Sequence, residues 1–374
     1  MPAALVGLFF ALRQSTGTMD WVVEHISAPV RRFTGLVSSV YPLSMMEILI
    51  AAAIIWLIYY LIKTIMVSSR RRGKIKIILK RLLPVVVAAV YVWAVFSWLW
   101  SSGYHASRFS EKNGFTGGGV SVESLRQVTQ LFADKANELA PLAERDEAGH
   151  YAVTRAEIFE ASTEIYHNLT MEFPGLDGRL YQPKPMIFSW LMSRTGYTGI
   201  YFAITGESNI NTGPPEIMMP STVAHELAHQ LGVFAEDEAN FVGILACITS
   251  ENIVYEYSGY LLGLVHLMNA LHGADYEAWV AVYNTLAEEI LTDWRDNAVY
   301  WESQKTAETR IDFLDRFLTW LFKTSRETVD VVYDGYLKSN RQELGLRSYG
   351  ACVDLLIEFF ESGRFEPQIY LLID

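Results

Sequence analysis

The stretch Ser221–Gly243, STVAHELAHQLGVFAEDEANFVG, decides how the rest of the chain is read. His225 and His229 stand four residues apart, Glu226 follows the first, and EDEAN begins seven residues after the second. On a helix of 3.6 residues per turn both imidazoles fall on one face and can reach one metal ion. Ser221 or Thr222 is the expected cap of that helix. Leu227 and Ala228 between the histidines are apolar, so the helix is expected to be buried, where imidazoles need partners. A solvated helix with two unrelated histidines is the plainer alternative.

A catalytic zinc site has three protein ligands and one open position. His225 and His229 are the first two. Glu226 is the candidate general base, set to take a proton from a water whose pKa the ion lowers and to pass it to a leaving amine. Gly232 lies three residues after His229, but Ala235 stands where an HExxHxxGxxH protein has its third histidine. Glu236 and Glu238 remain, and a turn over Gly232–Phe234 brings either one back toward His229. Asp237 is expected to be solvated.

EDEAN resembles the E-x-x-A-[D/N] element of gluzincin-type metallopeptidases, and is similar to the short-gap E-x-E-A-N-x-F form of some bacterial zinc peptidases. The resemblance implies that Glu236 is the third ligand and that Ala239 permits close helix packing. It also implies that Asn240, one turn on, orients a ligand histidine from behind. The wider arrangement resembles an uncharacterised family of bacterial membrane proteins with an extracytoplasmic HExxH domain, and YSGYL (257–261) and LRSYG (346–350) add to that likeness.

The first hundred residues carry eleven of the thirty basic residues but three of the forty-two acidic ones, so a basic, apolar head precedes an acidic body. That balance excludes nucleic-acid binding by the body and fits a membrane anchor bearing a solvated domain. Residues 48–67 and 82–100 are each long and apolar enough to cross a bilayer. Between them lie Arg70, Arg71, Arg72, Lys74, Lys76, Lys80 and Arg81; short basic loops stay in the cytoplasm, so the body is expected outside the cytoplasmic membrane of a bacterium, with Trp93, Trp98 and Trp100 at the outer interface. Residues 1–12 are apolar but short, a third span or an embedded segment. Apolar residues at 22, 26, 30, 33, 37 and 40 have helical spacing, which suits an amphipathic helix on the outer surface or one docked on the body.

The expected fold is mainly α with a small β-sheet, zincin-like α+β, plus N-terminal transmembrane helices. Residues 1–112 form the anchor, 113–120 (NGFTGGGV) a glycine-rich linker and 121–374 the metallopeptidase domain. Helices are expected over 122–142, 154–172, 313–333 and 349–360, and strands over 186–189, 199–205 and 216–220. GIYFAITGES (199–208) is the candidate for pairing with extended substrate, an ordinary core strand being the plainer alternative; Asn209 and Asn211 are turn residues or meet substrate, with the turn favoured. Candidate oxyanion stabilisers are Tyr257, Tyr260, His266, Arg347 and Tyr349. Cys247 and Cys352 form a disulfide or are two buried thiols. His105, His150, His167 and His272 are isolated.

The expectation is therefore a membrane-anchored metallopeptidase that uses Zn2+, with a polypeptide substrate and the lipid bilayer as partners and no nucleic acid. The other classes are a non-catalytic zinc-binding membrane sensor, a structural membrane protein and a zinc hydrolase of non-peptide amides.

Overall fold

A computed structural model describes residues 1–69, 74–306, 330–340 and 352–364. Two helices, Met45–Ser69 and Lys74–Phe96, are long and apolar enough to cross a membrane. They lie side by side, and the Tyr60 hydroxyl donates to the Arg81 carbonyl at 2.8 Å. The second runs on through a wider turn, Ser97–Ser101, and a 3-10 turn, Gly103–His105. The apolar helix Pro2–Leu12 packs on it, with Phe9 edge-on to Trp98. At 1.5 Å per residue its 11 residues span about 16 Å, half the hydrocarbon thickness of a bilayer.

The body is a helical bundle. Val122–Leu139 buries Leu125, Val128, Phe132, Ala136 and Leu139, at three- and four-residue intervals, and Ser121 caps it by accepting from the Ser124 amide. It packs along Ile253–Ala274, which Asn252 caps in the same way. Met219–Leu231, Glu236–Ile248 and Cys352–Glu361 complete the bundle around Phe241, Phe173 and Phe359. Cys247 and Cys352 are both buried and free, so they are thiols and not a disulfide. Asn113–Val120 does not act as a free linker: Phe115 is in the core, and the Thr116 and Gly117 amides donate to the Glu358 carboxylate. The helices read from sequence over 313–333 and 349–360 fall largely or partly outside the described residues; within them, 330–339 and Cys352–Glu361 are helical.

The sheet differs from the expected one. β1 (Lys184–Pro185) pairs in parallel with β3 (Glu207–Ile210), and β2 (Gly199–Phe202) pairs antiparallel with the other side of β3. Residues 186–189 are a turn and a helix start, because the Ile187 and Phe188 amides are taken by the Glu47 carboxylate instead of a strand. Residues 216–220 form a 3-10 turn and the start of a helix. The stretch 199–205 ends as a strand at Phe202, where a tight turn returns the chain as β3. Asn209 therefore sits in a buried strand, and Asn211 just beyond it donates to the Tyr197 carbonyl. The Ser208 hydroxyl on β3 donates to the Glu226 carbonyl, which ties the sheet to the helix Met219–Leu231.

The sheet is also bolted to the first long apolar helix. The two oxygens of Glu207 accept from the Met45 and Met46 amides, each at 3.0 Å, and so cap that helix where its first amides have no partner within it. Lys184, buried beside Glu207, forms an ion pair with it and donates to the Ser38 and Leu43 carbonyls. Removing one member of a buried pair leaves the other charge without compensation. Lys184→Met is thus expected to cost about 3–5 kcal/mol, read as a lowered thermal unfolding midpoint in detergent, and Lys184→Met with Glu207→Gln is expected to recover part of the loss.

Candidate metal centre

The helix Met219–Leu231 begins two residues before the expected cap. Met218 is its first boundary residue, and the Ser221 and Thr222 hydroxyls donate back to the Met218 carbonyl instead of capping. Val223, Ala224, Leu227 and Ala228 are buried, which holds the helix between the sheet and the bundle. His225 and His229 lie one turn apart with ring centroids 4.7 Å from each other. Gly232, with φ of 95°, ends the helix in the left-handed region, and the chain reverses so that Glu236 opens the next helix. Glu236 Oε2 lies 3.2 Å from His225 Nε2 and 3.5 Å from His229 Nε2. Among the described residues these three form a group whose ligand atoms all lie within 4.8 Å of one another.

The back of each imidazole sets what its front can do. His229 Nδ1 is 2.6 Å from the Val233 carbonyl, which can only accept, so Nδ1 carries the proton. His225 Nδ1 is 2.8 Å from Asn240 Oδ1, which accepts in the same way. In the neutral rings both Nε2 atoms are then acceptors, and both face a carboxylate oxygen. Among the described residues Glu236 Oε2 has no hydrogen-bond donor, while Oε1 accepts from the Tyr333 hydroxyl at 2.7 Å. Three lone pairs that converge in a buried place repel unless a cation sits among them: a proton on an imidazole, or a metal ion. The residues therefore fit a divalent ion held by two imidazoles and one carboxylate. Burial alone would push the Glu236 carboxyl up, but with protons on the imidazoles its contacts with His225 and His229 reverse this and hold it below the usual carboxylate range.

Glu226 is buried next to His225, and its Oε2 also lacks a donor among the described residues. β2 crosses directly over it. A Cβ at Gly199 would lie 2.6 Å from Glu226 Oε1, so only glycine leaves room for the carboxylate there. No sequence pattern announced Gly199 or Tyr333; both enter through contacts far apart along the chain. A cavity of about 420 Å³ opens beside His225, Glu226 and Asn240, walled by Met218, Leu262 and Trp301. His266 also lines it, and burial followed by the nearby His225 lowers its pKa to about 4.

The rival carboxylates are engaged elsewhere. Glu238 accepts from Arg108 Nε and from the Phe109 and Ser110 amides at 2.8–3.1 Å. Asp237 is not solvated, being buried and paired with Arg108. Tyr257 donates to Asp293 and Tyr260 packs on Phe132, while Arg347 and Tyr349 lie outside the described residues. Segments remote in sequence reach the centre: Trp100, in the turn Ser97–Ser101 that extends the second long apolar helix, packs edge-on to His229 with ring centroids 5.2 Å apart, and Arg31, on the helix Ala28–Ser39, donates from Nη1 to the His229 carbonyl at 3.1 Å.

The chain belongs to a family described as "Protein of unknown function (DUF3810)", whose model matches residues 23–357. No curated protein and no solved structure matches the chain.

Burial raises the Glu226 carboxyl from 4.5 to about 8, with His225 opposing the rise and Glu236 adding to it. Between those two values the metal-free folded chain holds a proton that the unfolded chain has released. The Glu226 contribution to stability is therefore expected to fall by about 3–5 kcal/mol as pH rises from about 4.5 to 8, while His266, held neutral in the fold, opposes that fall below about pH 6.5. Chemical denaturation across this range in the presence of a chelator checks it, the Glu226 part being the difference between the unsubstituted chain and Glu226→Gln.

Proposed function

We propose that the chain is a membrane-anchored zinc-dependent metallopeptidase of the gluzincin type. The observation that carries this reading is the convergence of His225 Nε2, His229 Nε2 and Glu236 Oε2 beside the buried carboxylate of Glu226. Two imidazoles and one carboxylate suit zinc and leave its fourth position open. Zinc, when bound, supplies a Lewis acid and lowers the pKa of water. Glu226 is the general base, and its carboxylate carries the proton from water to the leaving amine. Its raised pKa belongs to the metal-free chain; a dication nearby favours the ionised form that a base needs. Asn240 and the Val233 carbonyl hold the two ligand rings in the tautomer that leaves Nε2 free.

Support for a polypeptide substrate comes from β2. It is the outer strand of its sheet, it lies over Glu226, and among the described residues no strand pairs with its free side. An extended peptide added there runs past the metal group with its backbone hydrogen-bonded. Support for the membrane setting comes from the two long apolar helices, whose ends nearest the body are Met45 and Phe96. Lys74, Lys76, Lys80 and Arg81 lie toward the opposite end of the pair. By the distribution of positive charge, that end is cytoplasmic and the body is extracytoplasmic.

The full chain purified in detergent is expected to hold one zinc per chain and to cut a mixed peptide library. Glu226→Gln should keep the metal and lose cleavage by about 10²–10⁴-fold. Glu236→Gln should lose the metal, and Asn240→Ala should weaken zinc by about 10–100-fold in a chelator competition. A chain that binds no zinc, or a Glu226→Gln variant that still cleaves, would sink this reading.

A further inference from the structure

The helix Ala28–Ser39 is amphipathic in the wrong sense for a water-soluble protein. Its inward face is polar: Ser27 at its start, Arg31 (3% exposed), Thr34, Gly35 and Ser38. Its outward face is largely apolar: Val30, Phe33 (65% exposed), Leu36 and Val37 (50%), continued by Val40 (75%), Tyr41 and Leu43, with Arg32 and Ser39 also exposed. A helix packed on a body in water turns its apolar stripe inward, and a contiguous apolar face this size marks contact with something other than water.

The polar face is satisfied within the protein: the Thr34 and Ser38 hydroxyls donate to the Arg31 and Gly35 carbonyls of the same helix, and the other polar groups reach other segments. Ser27 Oγ donates to the Leu99 carbonyl at 2.5 Å. Arg31 donates to Ser27 Oγ, the Tyr201 hydroxyl and the His229 carbonyl, with its guanidinium 4.9 Å from the Phe234 ring centroid. Gly35 meets the turn between β2 and β3 so closely that a Cβ there would lie 3.1 Å from the Gly206 carbonyl oxygen. The helix is thus held rigidly, with its apolar side out.

The occupant of that side follows from continuity. The Ser38 and Leu43 carbonyls both accept from the one ammonium of Lys184, so the end of this helix and the start of Met45–Ser69 lie side by side. Ile48, Ile54 and Ile55 on the latter are exposed and apolar as well. The outward face of Ala28–Ser39 therefore runs directly into the surface of a helix read here as a span.

We propose that Ala28–Ser39 is an interfacial helix whose Phe33–Val37 face is immersed in the lipid at the membrane surface. Through Arg31 it fixes the metal-bearing helix at that surface. The inference rests on the membrane-anchored reading but is independent of zinc and catalysis. It differs from a loosely tethered catalytic domain, which would roam above the bilayer. Polypeptides that reach the cleft are then those held at the same surface.

Nitroxide labels on Phe33→Cys, Leu36→Cys and Val37→Cys test it in the full chain reconstituted into phosphatidylcholine–phosphatidylglycerol liposomes. Met171→Cys serves as a water-exposed control and Ile55→Cys as a span control. The unsubstituted chain reports background from the two buried native thiols, and circular dichroism selects folded variants. Power saturation is expected to give greater collision with oxygen than with a water-soluble nickel chelate at 33, 36, 37 and 55, and the reverse order at 171. If 33, 36 and 37 follow 171 while 55 reports lipid, this inference falls and the membrane anchor stands. If 55 also follows 171, both fall. Low access to either reagent at 33, 36 and 37 means that protein covers the face, and overturns the inference too.

Discussion

Three acceptor atoms, two imidazole nitrogens and one carboxylate oxygen, meet in a buried place, and much of the chain serves to hold them there. The helix Met219–Leu231 stacks the two histidines. Gly232 reverses the chain so that Glu236 returns to face them. Asn240 and the Val233 carbonyl occupy the far nitrogens, and Tyr333 takes the second oxygen of Glu236. Like-signed lone pairs at this spacing are costly in a medium of low dielectric. A fold that keeps them together without a cation would be at odds with itself, which is why the proposed metal is a statement about packing as much as about chemistry.

The second constraint is mechanical. Glu207 and Glu47 each hold two amides across the junction between the sheet and the first long apolar helix, and Lys184 gathers the Ser38 carbonyl of the preceding helix and the Leu43 carbonyl of the turn after it. At the other side Trp100 and Arg31 touch the histidine helix itself. Charged and polar groups are buried here because each is satisfied by backbone partners, which fixes geometry more firmly than apolar packing would. An anchor joined to a domain through a flexible linker would need none of this. The proposed catalytic centre and the proposed membrane contact are therefore parts of one rigid arrangement.

Local features were legible without coordinates. HELAH at helical spacing, the apolar stretches and the helical period across residues 22–40 all depend on neighbours within a turn or two, and the structure bears out the corresponding helices, while the basic stretch read as a loop is helical from Lys74 onward and residues 70–73 lie outside the described residues. The sheet was read less well. Residues 186–189 and 216–220 carry strand-like side chains, yet Glu47 captures the amides of the first and the second winds into the helix that carries His225 and His229. Strand propensity describes a half-buried surface and says little about which partner takes the backbone. The glycines of 113–120 suggested freedom, but the carboxylate of Glu358, some 240 residues away, docks two of the amides there.

The sequence by itself determined which residues can bind a metal ion and which segments are apolar enough for a bilayer, because both follow from residue type at fixed short spacing. It left Glu236 and Glu238 as rivals, since a reversal after Gly232 brings either one back. Only the tertiary structure separated them, by giving Glu238 to Arg108 and two amides and turning Glu236 toward the imidazoles. It alone brought Trp100, Arg31, Gly199 and Tyr333 to the centre. Those contacts join positions tens to hundreds of residues apart, and their energies depend on burial and direction, which no local pattern encodes.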